Sequence, residues 1–158
     1  MLNIKPISDP IQKQTIARIV LEALPEWFGI VDAREKYITE SAEVVFLGAF
    51  DSDQPVGFLT LKETGKDTVE LHVVGVLKDF QRQGFGKALV DEAKRVASKS
   101  GYSFLQVKTV QMGKYAEYDQ TNRFYLAQGF KELEVFPTLW DAWNPCQIYV
   151  MALKHESN

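Results

Sequence analysis

Hydrophobic residues recur along the chain with two different spacings, and the spacing typical of strands is the more frequent. Runs rich in valine, isoleucine and phenylalanine, bounded by glycine, proline or aspartate, predict β-strands. The turn DSDQP separates two of these runs and predicts an antiparallel hairpin. The predicted strands are LNIKPI, AEVVFLGAF, VGFLTLKE, TVELHVVGVL, YSFLQVKTV, FKELEVFPTLW and PCQIYVMALK.

Helical spacing fills the segments between these runs. A serine or aspartate cap followed by a proline predicts the start of a first helix, which PEWFGI interrupts, and two later helical patterns each stop at a glycine. Alternation of strands and helices predicts a mixed α/β sheet with helices on both faces, in a single domain over residues 1–158. The predicted helices are SDPIQKQTIARIVLEAL with Ile11, Ile16, Ile19 and Val20 as its apolar residues, VDAREKYITE, GKALVDEAKRVASKS with Leu89, Val90, Ala93, Val96 and Ala97, and YDQTNRFYLAQG.

Charge and composition narrow the classes of partner. The chain has 18 basic and 21 acidic residues, a net charge of -3 and a pI near 5.4, which argues against a nucleic-acid or anionic-membrane surface. One cysteine and two histidines disfavour a disulfide framework and a metal site, so we expect no metal. The N-terminal segment has no apolar signal core, and no run of roughly 18 apolar residues occurs. We therefore expect a cytoplasmic protein.

The segment DFQRQGFGKALVDEAK places two glycines where a helix is predicted to begin. Backbone N–H groups in the first turn of a helix have no intrahelical acceptor, and glycine lets a phosphate approach them closely. The pattern Gln81-x-x-Gly84-x-Gly86 is neither a Walker loop nor a dinucleotide-binding fingerprint, because residue 88 is alanine and residue 89 is leucine. It predicts a phosphate site of another kind.

These residues resemble the signature of the GNAT superfamily of acyl-CoA-dependent N-acetyltransferases. In that signature a strand ends at a valine, as here at Val76, and is followed by Gln/Arg-x-x-Gly-x-Gly/Ala. The second family element is similar to Asn122-x-x-Tyr125 continuing into FYLAQGF. The resemblance implies a mostly antiparallel sheet of six or seven strands with helices on both faces. It also implies transfer of an acetyl group from acetyl-CoA directly to a primary amine of a small molecule or peptide.

The same resemblance implies which residues bind the cosubstrate. The pantetheine arm would bond to the backbone of the fourth strand, and the pyrophosphate would bind the amides of the glycine segment. An asparagine on the later helix would bond the pantetheine amide, although a helix-capping role is an alternative. The implied acetyl-CoA-binding residues are Val74, Val76, Gln81, Arg82, Gln83, Gly84, Phe85, Gly86, Lys87 and Asn122.

Two residues are candidates for proton transfer. Tyr125 matches the family position whose hydroxyl approaches the CoA sulfur, so it is the predicted general acid, with a purely packed tyrosine as the alternative. Glu70 lies at the position where some family members carry a general base, and strand alternation puts it on the same face as His72. Both side chains could instead be exposed at a strand end, and water alone is a further alternative.

Aromatic residues in two connecting segments are the predicted acceptor-binding residues: Trp27 and Phe28 after the first helix, and Trp140 between the last two strands. Next to Glu26 or Asp141 they suit a hydrophobic or cationic amine. Aromatic residues at these places also seal core edges or form dimer interfaces, so both alternatives stay open. We expect Cys146 to be a small buried strand residue.

Two further functions remain open at this point. The chain could be a catalytically silent sensor that binds acyl-CoA, or an unrelated α/β protein that binds another phosphate ligand. The apolar run CQIYVMAL could be an internal edge strand or could pair across a homodimer.

Overall fold

Local sequence signals match the ends of most elements in the computed structural model, which describes residues 1–154. The predicted strands and helices are all present, and PEWF forms a further single helical turn rather than a loop. The strands are β1 (Leu2–Ile7), β2 (Val45–Asp51), β3 (Gln54–Glu63), β4 (Thr68–Val76), β5 (Phe104–Val110), β6 (Lys131–Phe136) and β7 (Cys146–Ala152). The helices are α1 (Pro10–Glu22), α2 (Pro25–Phe28), α3 (Val31–Ser41), α4 (Phe85–Lys99) and α5 (Ala116–Ala127).

The first helix shows how side chains decide these ends. The Asp9 carboxylate accepts a hydrogen bond from the N–H of Gln12 at 2.9 Å, and Pro10 occupies the first helical position, where its missing N–H is not needed. Only two of the four residues predicted to form the apolar face of α1 are buried. Ile16 and Val20 are buried, but Ile11 and Ile19 are 75% and 45% exposed, because the buried stripe of α1 runs through Ala17 and Leu21 instead.

The strands form one seven-stranded sheet in the order β1-β2-β3-β4-β5-β7-β6. The pairs β1/β2, β2/β3, β5/β7 and β6/β7 are antiparallel. The predicted hairpin is confirmed: Asp51 pairs with Gln54, and Ser52 in the turn has a positive φ of 57°. The predicted fold class, a mixed and mostly antiparallel sheet of six or seven strands with helices, is confirmed.

The chain divides into two compact units. The first comprises Met1–Lys62 and Leu71–Val96, and the second comprises Glu63–Glu70 and the chain from Ala97 onward. The core of the first unit lies between α1 and strands β2 and β3, where the rings of Phe46 and Phe58 stack at 5.0 Å. In the second unit, Val107 of β5 pairs with Tyr149 of β7, and α5 contributes the buried ring of Tyr125. The prediction of a single domain over residues 1–158 remains a prediction, and its last four residues lie outside the described part of the chain.

No helix within residues 1–154 combines the length and the apolar character that crossing a lipid bilayer requires.

Candidate functional site

The predicted phosphate-binding segment, residues 81–87, comprises the loop before α4 and the first residues of that helix, and is here called the amide loop. Gln81 anchors it, because its Nε2 donates to the carbonyl oxygen of Val76, the last residue of β4, at 2.9 Å. Gln83 adds a second bond from its Nε2 to the carbonyl oxygen of Asp79 at 2.8 Å. Gln81 therefore holds the loop to the strand end, and Gln83 holds it to the turn that follows the strand.

The backbone of the amide loop turns through two left-handed residues. Arg82 has a φ of +62° and Gly84 a φ of +91°. Left-handed residues at alternate positions occur in the curled backbones that direct successive N–H groups towards an anion. The helical ladder begins only with the bond from the N–H of Ala88 to the carbonyl oxygen of Gly84, at 2.9 Å. Within residues 1–154, the backbone N–H groups from Arg82 to Lys87 donate to no acceptor.

The surface of the amide loop is open at Gly84, where no side chain covers the backbone. A Cβ placed on Gly84 would meet no heavy atom within 4 Å. The guanidinium of Arg82 is exposed and makes no ion pair or hydrogen bond within the described chain, whereas the Lys87 ammonium lies 2.7 Å from a carboxylate oxygen of Asp91. Phe85, in contrast, is buried, with its ring edge-on to that of Phe80 at 5.8 Å. The predicted phosphate-binding residues are thus together on one loop, with Arg82 as its cation that has no partner among residues 1–154.

The other predicted residues of the first unit lie on β4, α4 and α2. Val74, Val76 and Gly86 are partly buried residues at the strand end and the helix start. Trp27 and Phe28 of α2 are half-buried and pack against the core of the unit. They therefore seal one edge of the core, and their predicted acceptor contact stays a prediction.

Phe28 also belongs to a group of polar and aromatic side chains that we call the α3 cluster: Phe28, Tyr37, Glu40 and His72. The ring of Tyr37 lies edge-on to Phe28 at 6.1 Å and to the imidazole of His72 at 5.6 Å. Nε2 of His72 lies 3.3 Å from a carboxylate oxygen of Glu40. A carboxylate at this distance can accept a hydrogen bond from the imidazole and so orient the ring. Beside the cluster, Glu26 forms an ion pair with Lys78, which holds the pKa of the Glu26 carboxyl below its usual value.

In the second unit, Asn122 is fully buried at the centre of a hydrogen-bond network. Its Nδ2 donates to the carbonyl oxygens of Val110, at 2.8 Å, and Tyr118, at 2.7 Å, and its Oδ1 accepts from the Tyr149 hydroxyl at 2.5 Å. Both amide hydrogens are therefore used within the unit, and one lone pair of Oδ1 remains for a ligand. The alternative of a helix-capping role is wrong, because α5 begins at Ala116.

Tyr125 lies one turn after Asn122 on the same face of α5 and is 4% exposed. Its ring packs against Phe130 at 5.6 Å and Tyr149 at 6.3 Å. Burial raises the pKa of the Tyr125 hydroxyl above its ordinary value, with a smaller contribution from Tyr118. The hydroxyl therefore stays protonated throughout the neutral range, which is the form that a proton donor needs.

Glu70 is buried and forms an ion pair rather than lying exposed at a strand end. The Lys108 ammonium, on β5, lies 2.7 Å from its Oε2. Both charges act on the thiol of Cys146, but burial is the larger influence and raises the pKa of this thiol to about 11. Cys146 is completely buried, as predicted.

Trp140 and Trp143 lie in the connection between β6 and β7 and are 47% and 77% exposed. The Asp141 carboxylate between them accepts bonds from the backbone N–H groups of Trp143, at 2.8 Å, and Asn144, at 2.7 Å. A hydrogen bond from the Asn144 side-chain amide, together with these two backbone bonds, holds the pKa of the Asp141 carboxyl below its usual value. The loop thus has an internal turn that presents both indoles to solvent.

Sequence reasoning missed several partners of the predicted residues: Tyr37, Glu40, Lys108 and Tyr149. Each lies on a different element from the residue it contacts, and more than 25 positions separate the hydrogen-bonded pairs Glu40–His72, Glu70–Lys108 and Asn122–Tyr149. Lys108 is the one charged residue in β5, and this local signal indicated that it needs a charged partner.

Comparison with known proteins agrees with this arrangement. The model of the acetyltransferase (GNAT) family matches residues 11–130. No curated protein matches the sequence significantly. Among solved structures, a protein from Desulfovibrio desulfuricans assigned to the GNAT family is 22% identical, with a TM-score of 0.82 over 98% of this chain and 100% of its own.

Two other similar structures have defined acceptors in their names. The ribosomal-protein-S18-alanine N-acetyltransferase of Escherichia coli is 18% identical, with a TM-score of 0.76 over 100% of this chain and 97% of its own. An aminoglycoside 6'-N-acetyltransferase in complex with coenzyme A is also 18% identical, with a TM-score of 0.73 over 99% of both chains. At these identities the similarity shows the fold, and the family model covers most of the chain. The protein belongs to the GNAT family of acetyltransferases.

Proposed function

We propose that the protein transfers an acetyl group from acetyl-CoA to a primary amine of a small molecule or a peptide. The observation that carries this proposal is the amide loop, a run of backbone N–H groups at the start of α4 that have no acceptor among residues 1–154. Family membership gives the reaction class, and the loop gives this chain the means to bind the pyrophosphate of the cosubstrate.

The amide loop and β4 would bind the cosubstrate. The N–H groups from Arg82 to Lys87, at the positive end of the α4 dipole, suit the charge of a pyrophosphate. The Arg82 guanidinium is available for a further phosphate contact. Backbone groups of Val74 and Val76 would bond the pantetheine arm, and the free lone pair of Asn122 Oδ1 allows one more bond. Acetyl-CoA would supply an activated acyl thioester.

The transfer requires an attacking amine and a protonated leaving group. The neutral amine nitrogen bonds to the thioester carbonyl carbon, and the tetrahedral oxyanion is stabilised by backbone N–H donors of β4. The carbon–sulfur bond then breaks, the thiolate takes up a proton, and the nitrogen of the new amide loses its surplus proton. We assign the thiolate's proton to Tyr125, because it lies at the family position of the donor and burial keeps its hydroxyl protonated. The proton released from the amide nitrogen then restores the tyrosine hydroxyl.

The ammonium form of the acceptor must first lose a proton. Glu70 is the predicted base, and one oxygen of its carboxylate lies 2.7 Å from the Lys108 ammonium. Because Lys108 occupies that oxygen, water or the His72–Glu40 pair would share this task. Replacing Glu70 with glutamine and His72 with glutamine separately, and comparing the acidic limbs of the two pH–rate profiles, distinguishes these bases.

The acceptor would contact the aromatic residues predicted from the sequence. Phe28 belongs to the α3 cluster, Trp27 precedes it on α2, and Trp140 is exposed beside Asp141 in the connection between β6 and β7. Two proteins of similar structure are named as acetyltransferases of an aminoglycoside and of the alanine of a ribosomal protein. Both small-molecule and peptide amines are therefore reasonable acceptors for this chain.

The alternative is a silent sensor that binds acyl-CoA without transfer. Two measurements separate it from the enzyme. Both functions predict that acetyl-CoA raises the melting temperature, since a ligand at 100 times its Kd adds about 2.7 kcal/mol to stability. Only the enzyme releases free thiol when an amine is added, and Tyr125→Phe should slow this release. Thermal stabilisation without thiol release from any amine would favour the sensor.

A further inference from the structure

Arg34 occupies an unusual place for a charged residue, on the inner face of α3. It shares this face with Ile38 and Ser41, which are each 2% exposed, at the spacing that aligns residues along one side of a helix. The Arg34 side chain itself is 19% exposed. The sequence thus places a guanidinium where the helix otherwise packs against its own unit.

The Nε atom of this guanidinium is buried and has no hydrogen-bond acceptor among residues 1–154. Glu35 has the nearest carboxylate, but its Oε2 lies 4.0 Å away, beyond hydrogen-bond distance. Both oxygens of that carboxylate already accept bonds from Arg18, each at 2.9 Å. Buried donors without acceptors are rare in folded proteins, and a charged one is the most costly to leave without a partner. A bound anion would satisfy it.

Arg34 lies close to the α3 cluster along the helix. Tyr37 follows it by one turn and contacts Phe28 and His72, and Glu40 follows Tyr37 by another turn. One helix therefore carries a cation with an unsatisfied donor at position 34 and a carboxylate next to an imidazole at position 40. Positions 34 and 40 are roughly 9 Å apart along the helix axis and roughly 120° apart around it, with Tyr37 midway between them. A ligand that passes over Tyr37 and has opposite charges several bonds apart would reach both.

We propose that Arg34 binds a carboxylate of the acceptor, so that the preferred acceptors are amines carrying a free carboxylate several bonds from the nitrogen, such as dipeptides. This inference rests on the proposed function, because it names the acceptor of the same reaction. The planar guanidinium suits a carboxylate, which accepts paired hydrogen bonds from it. Glu40 and His72 would attract the ammonium end of the same molecule.

The test compares acceptors that differ only in the carboxylate, namely dipeptides with a free C-terminus and the same dipeptides as C-terminal amides. The wild-type protein should acetylate the free acids with a kcat/KM roughly 10- to 100-fold higher than the amides. Arg34→Gln should abolish this preference through a loss on the free acids alone, and Arg34→Lys should restore part of it. Arg95→Gln is the matched control, because Arg95 is an exposed arginine on α4 that pairs with Glu92 and has no part in the α3 cluster.

A binding measurement without catalysis separates the two proposals. Free-acid dipeptides should raise the melting temperature of the wild-type and Arg95→Gln proteins but not of Arg34→Gln. If this pattern holds and no amine is acetylated, the carboxylate site stands and the proposed function fails. Acetylation with equal kcat/KM for acids and amides, or an undiminished preference in Arg34→Gln, would overturn the carboxylate site alone.

Discussion

Gly84 offers the most direct perturbation of the amide loop. Replacing it with glutamate introduces a side chain and a negative charge at the point where the loop is open. Because a Cβ there would meet no heavy atom within 4 Å, the substitution causes no clash inside the chain. The cost to folding is then the backbone strain of a non-glycine residue at a φ of +91°.

The structure separates the expected loss of stability from the expected loss of binding. A left-handed residue costs about 1–2 kcal/mol, which corresponds to a fall in Tm of roughly 2–8 °C for a chain of this size. A carboxylate about 4 Å from one phosphate charge costs about 4 kcal/mol at an effective dielectric constant of 20. We therefore expect Gly84→Glu to fold and to bind CoA at least about 100-fold more weakly than the wild type.

Isothermal titration with CoA measures this loss, and the chain provides a matched control. Gly101 follows α4 at its other end, has a φ of +92°, and a Cβ added there would also meet no heavy atom within 4 Å. Gly101→Glu therefore brings the same strain and the same charge without changing the amide loop. Wild-type affinity in Gly84→Glu, or an equal loss in Gly101→Glu, would refute the assignment of the pyrophosphate to this loop.

Three further predictions concern the second unit. Tyr125→Phe should lower kcat without changing the affinity for CoA. Because the pKa of the Tyr125 hydroxyl is raised, the hydroxyl stays protonated, and the wild-type rate should not fall through its ionisation below about pH 10. Asn122→Ala should lower the free energy of unfolding by roughly 2–4 kcal/mol in urea titrations, since it leaves the Tyr149 hydroxyl and the Val110 carbonyl without their partner; unchanged stability would limit Asn122 to ligand binding. Native Cys146 should react slowly with thiol reagents near neutral pH.

The Cys146 thiol also predicts how stability depends on pH. Its pKa is raised from 9.0 to about 11 in the folded protein, so the unfolded chain ionises first as the pH rises. The contribution of the neutral thiol to the free energy of unfolding is complete below pH 9. As the pH rises from 9 to 11, this free energy falls by about 2–3 kcal/mol. Cys146→Ala should flatten this alkaline decline in urea titrations, and an unchanged slope would assign the decline to other groups.

Local chemistry explains what the sequence could predict. The glycine spacing located the start of α4, because glycine's freedom to adopt positive φ is a property of the residue itself. Alternation along β4 put Glu70 and His72 on one face, and the structure gives each of them a charged partner. The left-handed Arg82 had no such signal, since side chains other than glycine rarely adopt this conformation.

Contacts distant in sequence explain what was missed. Asn122 was predicted as a ligand contact, but its amide also joins α5 to β5 and β7 through residues 12 and 27 positions away. Ile11 and Ile19 were predicted on the apolar face of α1 but are exposed, because another side of the helix meets the core. Helical spacing alone does not determine which side that is. Nothing in the sequence marked the Arg34 Nε as lacking an acceptor within the described residues 1–154, because this depends on the bonds that Arg18 makes to Glu35.

The most direct test of acetyl transfer through the amide loop is the mass of the amine product. The wild-type protein, Gly84→Glu and Gly101→Glu are each incubated with acetyl-CoA and a mixture of polyamines, aminoglycosides, amino acids and dipeptides, and the products are analysed by mass spectrometry. We predict that at least one amine gains a single acetyl group with the wild type and with Gly101→Glu, and that this product is strongly reduced with Gly84→Glu. Acetylated product at the wild-type rate from Gly84→Glu, or no acetylated amine while acetyl-CoA binds, would contradict this role of the loop and of the protein.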